Sequence, residues 1–137
     1  AVRWFTFHNW EPLGMVRLAA AFDFLNTDDS SVHLAATIRA EEERNVVMHL
    51  NWDDGAVVWL NGQVIVDHKQ YPEKGHGMVF KDRYDFEETV PVTIPKGENT
   101  LAITSVNSKG RWGVNIRFTD ENGWPVEGLH FGLPEAR

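Results

Sequence analysis

The sequence contains six histidines, the first residues whose chemistry has to be placed. Two imidazoles share a metal from one strand as H-x-H or from one helix as H-E-x-x-H, because those spacings put both rings on one face. Neither spacing occurs, which disfavours a metal-dependent, cupin-like enzyme. His68 and His76 fall in one polar stretch, where they either converge on a ligand or metal or stand in solvent. Carboxylates are paired at Asp28/Asp29, Asp53/Asp54 and Glu87/Glu88. A glycosidase sets its two carboxyl groups about 5 to 10 Å apart across the bond it breaks, whereas sequence neighbours on a strand point to opposite faces. These pairs therefore make no such site by themselves, and Glu41-Glu42-Glu43 reads as a solvated face. Ser105 and Ser108 lack a G-x-S-x-G context, and no Gly-rich phosphate cradle is present. The chain is read as having no catalytic chemistry of its own.

Six Trp, two Tyr and eight Phe exceed what a small core needs, so some of these rings are expected at the surface. A pyranose shows an apolar C–H face that stacks on an aromatic ring, while its hydroxyls need planar amide, carboxylate or guanidinium partners. Three stretches combine both kinds of group. Asn107, Lys109, Arg111 and Trp112 lie in one loop; His68, Gln70, Tyr71 and His76 lie in a second; His8, Asn9, Trp10 and Glu11 lie near the N-terminus. The expected ligand site is the first loop, Asn107, Lys109, Arg111 and Trp112, completed by His68 and Tyr71. Trp112 also alternates in phase with Val114 and Ile116, which equally suits core packing. Trp4 and Trp52 read as core or strand-end residues. Trp59 is out of phase with Val58 and Leu60, and faces outward if those two are core. Trp124 follows a turn and covers an edge.

The formal charge of −7 repels phosphate backbones and anionic lipid, so neither nucleic acid nor membrane is an expected partner. With no cysteine, disulfides and thiolate chemistry are excluded. No apolar run reaches the roughly 18 residues that cross a bilayer. The opening Ala1-Val2-Arg3-Trp4 has neither an initiator Met nor a signal-peptide pattern, so the chain is read as part of a longer or processed polypeptide. At 137 residues it can bury one sizeable core, and one domain, residues 1–137, is expected as a monomer.

These side chains must be positioned by strands. Val32, Leu34, Ala36 and Ile38 alternate with His33, Ala35, Thr37 and Arg39, and Val46, Met48 and Leu50 with Val47, His49 and Asn51. Ala56 to Leu60 meets Gln63 to Val66 across Asn61-Gly62, the dipeptide suited to a type I′ hairpin turn. Further strands are expected at Glu88 to Ile94, Thr100 to Val106 and Trp112 to Phe118, with a short return through Val126 and Leu129. Val2 to His8 suggests an edge strand, and Val16 to Leu25 a strand or a short helical turn. The one plausible helix, Ala40 to Arg44, has no apolar stripe, and Asp67 to Phe80 reads as a long loop. Seven to nine such strands predict an all-β antiparallel sandwich or barrel.

The segment Asn51-Trp52-Asp53-Asp54-Gly55-Ala56-Val57-Val58-Trp59-Leu60-Asn61-Gly62-Gln63-Val64 resembles the DDG-x-x-V-W-L-N-G hairpin of galactose-binding-like jelly-roll modules. Those modules are attached to bacterial polysaccharide-degrading enzymes and other secreted multidomain proteins. Ala35 to Ala40 with Arg44 to Val47, Val92 to Leu101, and Asn107 to Arg117 are similar to its other strand pairs, and the resemblance spans about Leu18 to Leu129. It implies a jelly-roll sandwich that binds polysaccharide or oligosaccharide beside an appended catalytic domain, in a secreted, periplasmic or cell-surface protein. The family often carries a structural calcium ion, whose ligands vary too much to transfer. The rival expectation is a structural or interaction sandwich with no sugar ligand. Asp53 and Asp54 have an architectural reading too, as acceptors for nearby turn amides.

Overall fold

The computed structural model describes residues 4–7, 15–22, 26–68 and 88–135. Its elements are β1 (Met15–Arg17), a single helical turn α1 (Leu18–Ala21), β2 (Ser30–Ala40), β3 (Arg44–Asp53), β4 (Gly55–Leu60), β5 (Gln63–His68), β6 (Glu88–Ile94), β7 (Gly97–Asn107), β8 (Gly113–Thr119) and β9 (Leu129–Gly132). All strand pairs are antiparallel. One sheet has four strands in the order β1-β8-β3-β6, and the other has five in the order β5-β4-β7-β2-β9. The protein is an all-β, two-sheet sandwich, as the alternating strands predict.

The core forms where the inward phases of the two sheets meet. Val46, Met48, Leu50 and Trp52 of β3 are buried on one side, with Val114 and Phe118 of β8 beside them. Ile38, Ala56, Val58, Leu60, Leu101 and Ile103 close the layer from the other sheet. Burial of these side chains is the main stabilising term, at about 25 cal/mol per Å² of apolar surface withdrawn from water.

The hairpin turn is as expected: Leu60 pairs with Gln63, and both turn residues have positive φ, 50° at Asn61 and 79° at Gly62. Those signs belong to a type I′ turn, whose twist matches that of the flanking strands. Val58 and Leu60 are core residues and Trp59 is half-buried on the other face, with a register shift between Val58 and Trp59.

Some expectations are corrected. Glu41 to Glu43 form the connection between β2 and β3 rather than helix, because no apolar stripe gives a helix a face to bury. Trp4 is 66% exposed instead of core, and residues 4–7 of the N-terminal stretch are irregular rather than an edge strand. Val16 to Leu25 divides, with β1 ending at Arg17 and α1 beginning at Leu18; residues 23–25 lie outside the described set. Asp67 and His68, expected to open the long loop, instead extend β5, and the loop beyond His68 lies outside the described set.

Candidate functional site

At one end of the sandwich the chain passes from β3 in the first sheet to β4 in the second, through Asp53-Asp54-Gly55. The Asp53–Asp54 peptide bond is cis. Both carboxyl side chains are withdrawn from solvent, with Asp53 3% and Asp54 1% exposed. Asp54 N–H donates to Val106 O (3.1 Å), and Asp54 Oδ2 accepts from Ser108 N–H (2.5 Å). In place of the nearby turn amide expected for Asp54, its acceptor is engaged by an amide far along the chain. Asp54 thereby fixes the start of the Asn107–Trp112 loop against the crossover. Asp28 Oδ1 accepts from Gly110 N–H at 3.2 Å, and Asp29 N–H donates to Ser108 O, which tie the same loop to the turn before β2.

Asn107 ends β7 in the inward phase of Leu101, Ile103 and Ser105. Its Nδ2 donates to Thr27 O at 2.7 Å, while its buried Oδ1 has no hydrogen-bond partner among the described residues. Leaving a buried acceptor unmet costs about 1 to 3 kcal/mol. Trp112 is corrected from ligand platform to core: it is 2% exposed, its ring stacks on Phe22 (6.0 Å, 15°), and Nε1 donates to Ser105 Oγ at 2.9 Å. Phe5 meets the edge of Phe22, extending the aromatic stack outward. No ring face of Trp112 is open to a sugar. Lys109 and Arg111 are exposed on the loop between, where side chains can meet a ligand.

His68 sits at the end of β5, half-buried, with its imidazole stacked on the buried indole of Trp52 (4.7 Å, 8°). Its Nε2 lies 2.5 Å from Glu88 Oε2, so a strand of each sheet is joined across the side of the sandwich. His68 is therefore engaged by two partners of its own. Tyr71, Gln70, His76 and the stretch His8, Asn9, Trp10 and Glu11 lie outside the described residues.

The structure also brings together residues that sequence reasoning passed over. Asn51 of β3 and Asn115 of β8 are directly paired on the outward phase of the first sheet, yet both are buried. The signal was present: two amides stand where an exposed strand face would tolerate any polar residue. His49, on the same face, lies 2.7 Å from Thr119 Oγ1, and burial, reinforced by the Arg117 guanidinium, pushes its imidazole below the ordinary range. At the opposite end, the His130 imidazole bonded to Glu41 holds that carboxyl low.

The structural calcium implied by the sequence resemblance can be tested against this geometry. Calcium takes oxygen ligands from carboxylates, amide carbonyls and backbone carbonyls. Asp53, Asp54 and the unmet Oδ1 of Asn107 are donors of the first two kinds, on two chain segments that the Asp54–Ser108 bond joins. Their chemistry suits such an ion, which would take the open acceptor of Asn107 as one ligand. No group of three or more His, Cys, Asp or Glu side chains that could hold a metal ion occurs among the described residues, so an ion here would need the Asn107 amide and backbone carbonyls.

No family model and no curated protein matches the chain. Two solved structures are similar in fold. A β-glucosidase from Kluyveromyces marxianus aligns with a TM-score of 0.57 and 21% identity, covering 78% of this chain and 13% of that one. An anti-sigma factor domain-containing protein from Clostridium clariflavum aligns with a TM-score of 0.51 and 19% identity, covering 80% of this chain and 35% of that one. The chain thus spans about an eighth of the first protein and about a third of the second, and at such identities the likeness concerns the fold alone.

Proposed function

We propose that this sandwich is a non-catalytic, galactose-binding-like module that binds carbohydrate at the Asp53–Asp54 crossover and holds an appended enzyme near polysaccharide, outside the cell. The observation that carries the reading is that buried Asp54 holds the Ser108 amide at the start of the exposed Lys109–Arg111 loop, next in sequence to Asn107, whose buried Oδ1 has no partner among the described residues. A divalent ion there would be held by Asp54 and Asn107 and would steady the loop, whose exposed Lys109 and Arg111 would supply hydrogen-bond donors to sugar hydroxyls. A similar sandwich within a β-glucosidase agrees with service beside a catalytic domain. Shallow sites of this kind bind weakly, with Kd on the order of 0.1 to 1 mM, or about −4 to −5.5 kcal/mol.

The test is an affinity-gel and glycan-array screen of the chain with calcium, repeated with EDTA. Retention on at least one polysaccharide, lost with EDTA and in Asp54→Asn, is expected; silence across a broad neutral and acidic panel removes the proposal. A second reading, an interaction sandwich, draws on Trp124, Phe131 and Leu133, which are 69%, 59% and 60% exposed in the C-terminal stretch. Apolar side chains so exposed suit an interface with a neighbouring domain. Glycan silence together with capture of an adjacent domain would favour it.

A further inference from the structure

A second concavity lies at the far end of the molecule, on the outward face of the first sheet. Asn45 and Val47 alternate with the buried Val46 and Met48, so they point away from the core. Their cross-strand partners on β6 are Thr93 and Pro91. The turn Asp120-Glu121-Asn122, which follows β8, stands over this patch and completes a groove of about 680 Å³, within the usual range for small-ligand sites. Along β3, Asn45 is about 26 Å from Asp53 at the ordinary strand rise of roughly 3.3 Å per residue. The two ends are therefore separate sites.

The groove has a fixed frame. Asp120 Oδ1 accepts from Asn122 N–H and Trp124 N–H, both at 2.8 Å, and Asp120 N–H donates to Trp124 O. This closes the turn and spends one carboxylate oxygen internally. Thr93 donates to Asn45 Oδ1 at 2.8 Å, which orients the Asn45 amide so that its Nδ2 is the group left to donate. Between these polar walls, Val47 and Pro91 form a directly paired apolar floor. Among the described residues the lining holds two carboxylates and no cation, which disfavours phosphate, sulfate and uronate groups.

An apolar floor bounded by amide and carboxylate groups matches the two-sided chemistry of a neutral sugar, whose C–H face wants the floor and whose hydroxyls want the walls. We infer that the groove over Val47 and Pro91 is a binding site for a neutral oligosaccharide, with Asn45, Glu121 and Asn122 as its hydroxyl partners. It needs no metal. This site stands whether or not the Asp53–Asp54 end binds sugar. If both bind, one polymer chain engaging the two gains affinity through effective concentration.

The test uses the ¹⁵N-labelled chain in EDTA, titrated separately with cellohexaose, xylohexaose and mannohexaose to millimolar concentration. With at least one of them, the amide signals of Asn45, Thr93 and Asn122 should move together while those of Lys109 and Arg111 stay still. The Asn45→Ala/Asn122→Ala double variant, altered only at exposed positions, should keep the folded spectrum and bind at least about fivefold more weakly. Stationary signals at these residues with all three sugars would overturn the inference, as would unchanged affinity in the double variant. A response to a basic peptide but to no sugar would overturn it as well, reassigning the groove to its carboxylates. A failure at the Asp53 end would show as missing calcium-dependent shifts at Lys109 and Arg111, a separate signature.

Discussion

Single residues in this protein divide sharply between holding the site and meeting a ligand. Trp112 is buried, stacked on Phe22 and hydrogen-bonded to Ser105, so Trp112→Ala should cost about 3 to 5 kcal/mol. Lys109, exposed on the same loop, should change stability by no more than about 0.5 kcal/mol when replaced by Ala. Urea denaturation of the two variants checks the contrast, and comparable midpoints would show that Trp112 is not packed as described. His49 gives a pH signature. Its imidazole resists protonation in the folded state because of burial and Arg117, whereas in the unfolded chain it takes a proton near the ordinary value of about 6.5. The unfolded state therefore binds more protons as pH falls through that value, and stability declines down to the lower folded value. His49→Gln should flatten the stability curve just below about pH 6.5, above the range where carboxylates titrate. A slope identical to that of the parent chain would remove His49 as its source.

At the scale of elements, the β4–β5 hairpin was legible because its information is local: an Asn-Gly pair between two apolar runs has few other uses. Gly62→Val should cost about 1 kcal/mol or more, since φ of 79° strains any residue with a Cβ, and an unchanged denaturant midpoint would contradict this. What anchors the hairpin was not legible. Asn61 Nδ2 donates to Asn99 Oδ1, Thr100 N–H donates to Asn61 Oδ1, and Asn99 Nδ2 reaches Ile38 O, Pro95 O and Gly97 O. One buried amide thus ties β2, the β6–β7 turn and the hairpin together. Asn99→Leu should destabilise by about 2 to 3 kcal/mol, because the buried Ile38 carbonyl, the turn carbonyls of Pro95 and Gly97, and Asn61 lose their partner at once; a loss under about 0.5 kcal/mol in thermal unfolding would refute that role. The same distinction governs the site. Strand alternation exposes which residues share a face, but Asp54 acquires Ser108 as a partner, and Asn107 loses access to solvent, only through pairing across distant segments. Trp112 showed the limit of local reading: its phase with Val114 pointed to the core, its neighbours Arg111 and Lys109 to a surface, and the packing of Phe22 decided for the core.

For the whole molecule, the question is how a fold with −7 net charge stays stable with two adjacent carboxylates buried at a crossover between its sheets. Carboxylates removed from water need compensation from hydrogen bonds or positive charge. Both carboxylates have partners, the Ser108 amide among those of Asp54, while the unmet Oδ1 of Asn107 marks a further acceptor beside that amide in sequence. A divalent ion held by these oxygens would bind the folded chain only, because the crossover exists only when β3 and β4 lie in their separate sheets. Binding of that kind raises stability by RT ln(1 + [L]/Kd), about 2.7 kcal/mol when calcium is at a hundred times Kd. For a chain of this size that corresponds to a rise in Tm of roughly 8 to 13 °C. Differential scanning calorimetry in calcium and in EDTA should show this rise, growing with calcium concentration, while equal concentrations of sodium chloride leave Tm nearly unchanged. Asp54→Asn keeps the shape of the side chain and an acceptor for Ser108 but removes one charge, so it should unfold at nearly the same temperature in calcium and in EDTA. The same Tm for the parent chain in both solutions would leave Asp53, Asp54 and Asn107 as architecture alone, and would take the metal out of the proposed sugar site.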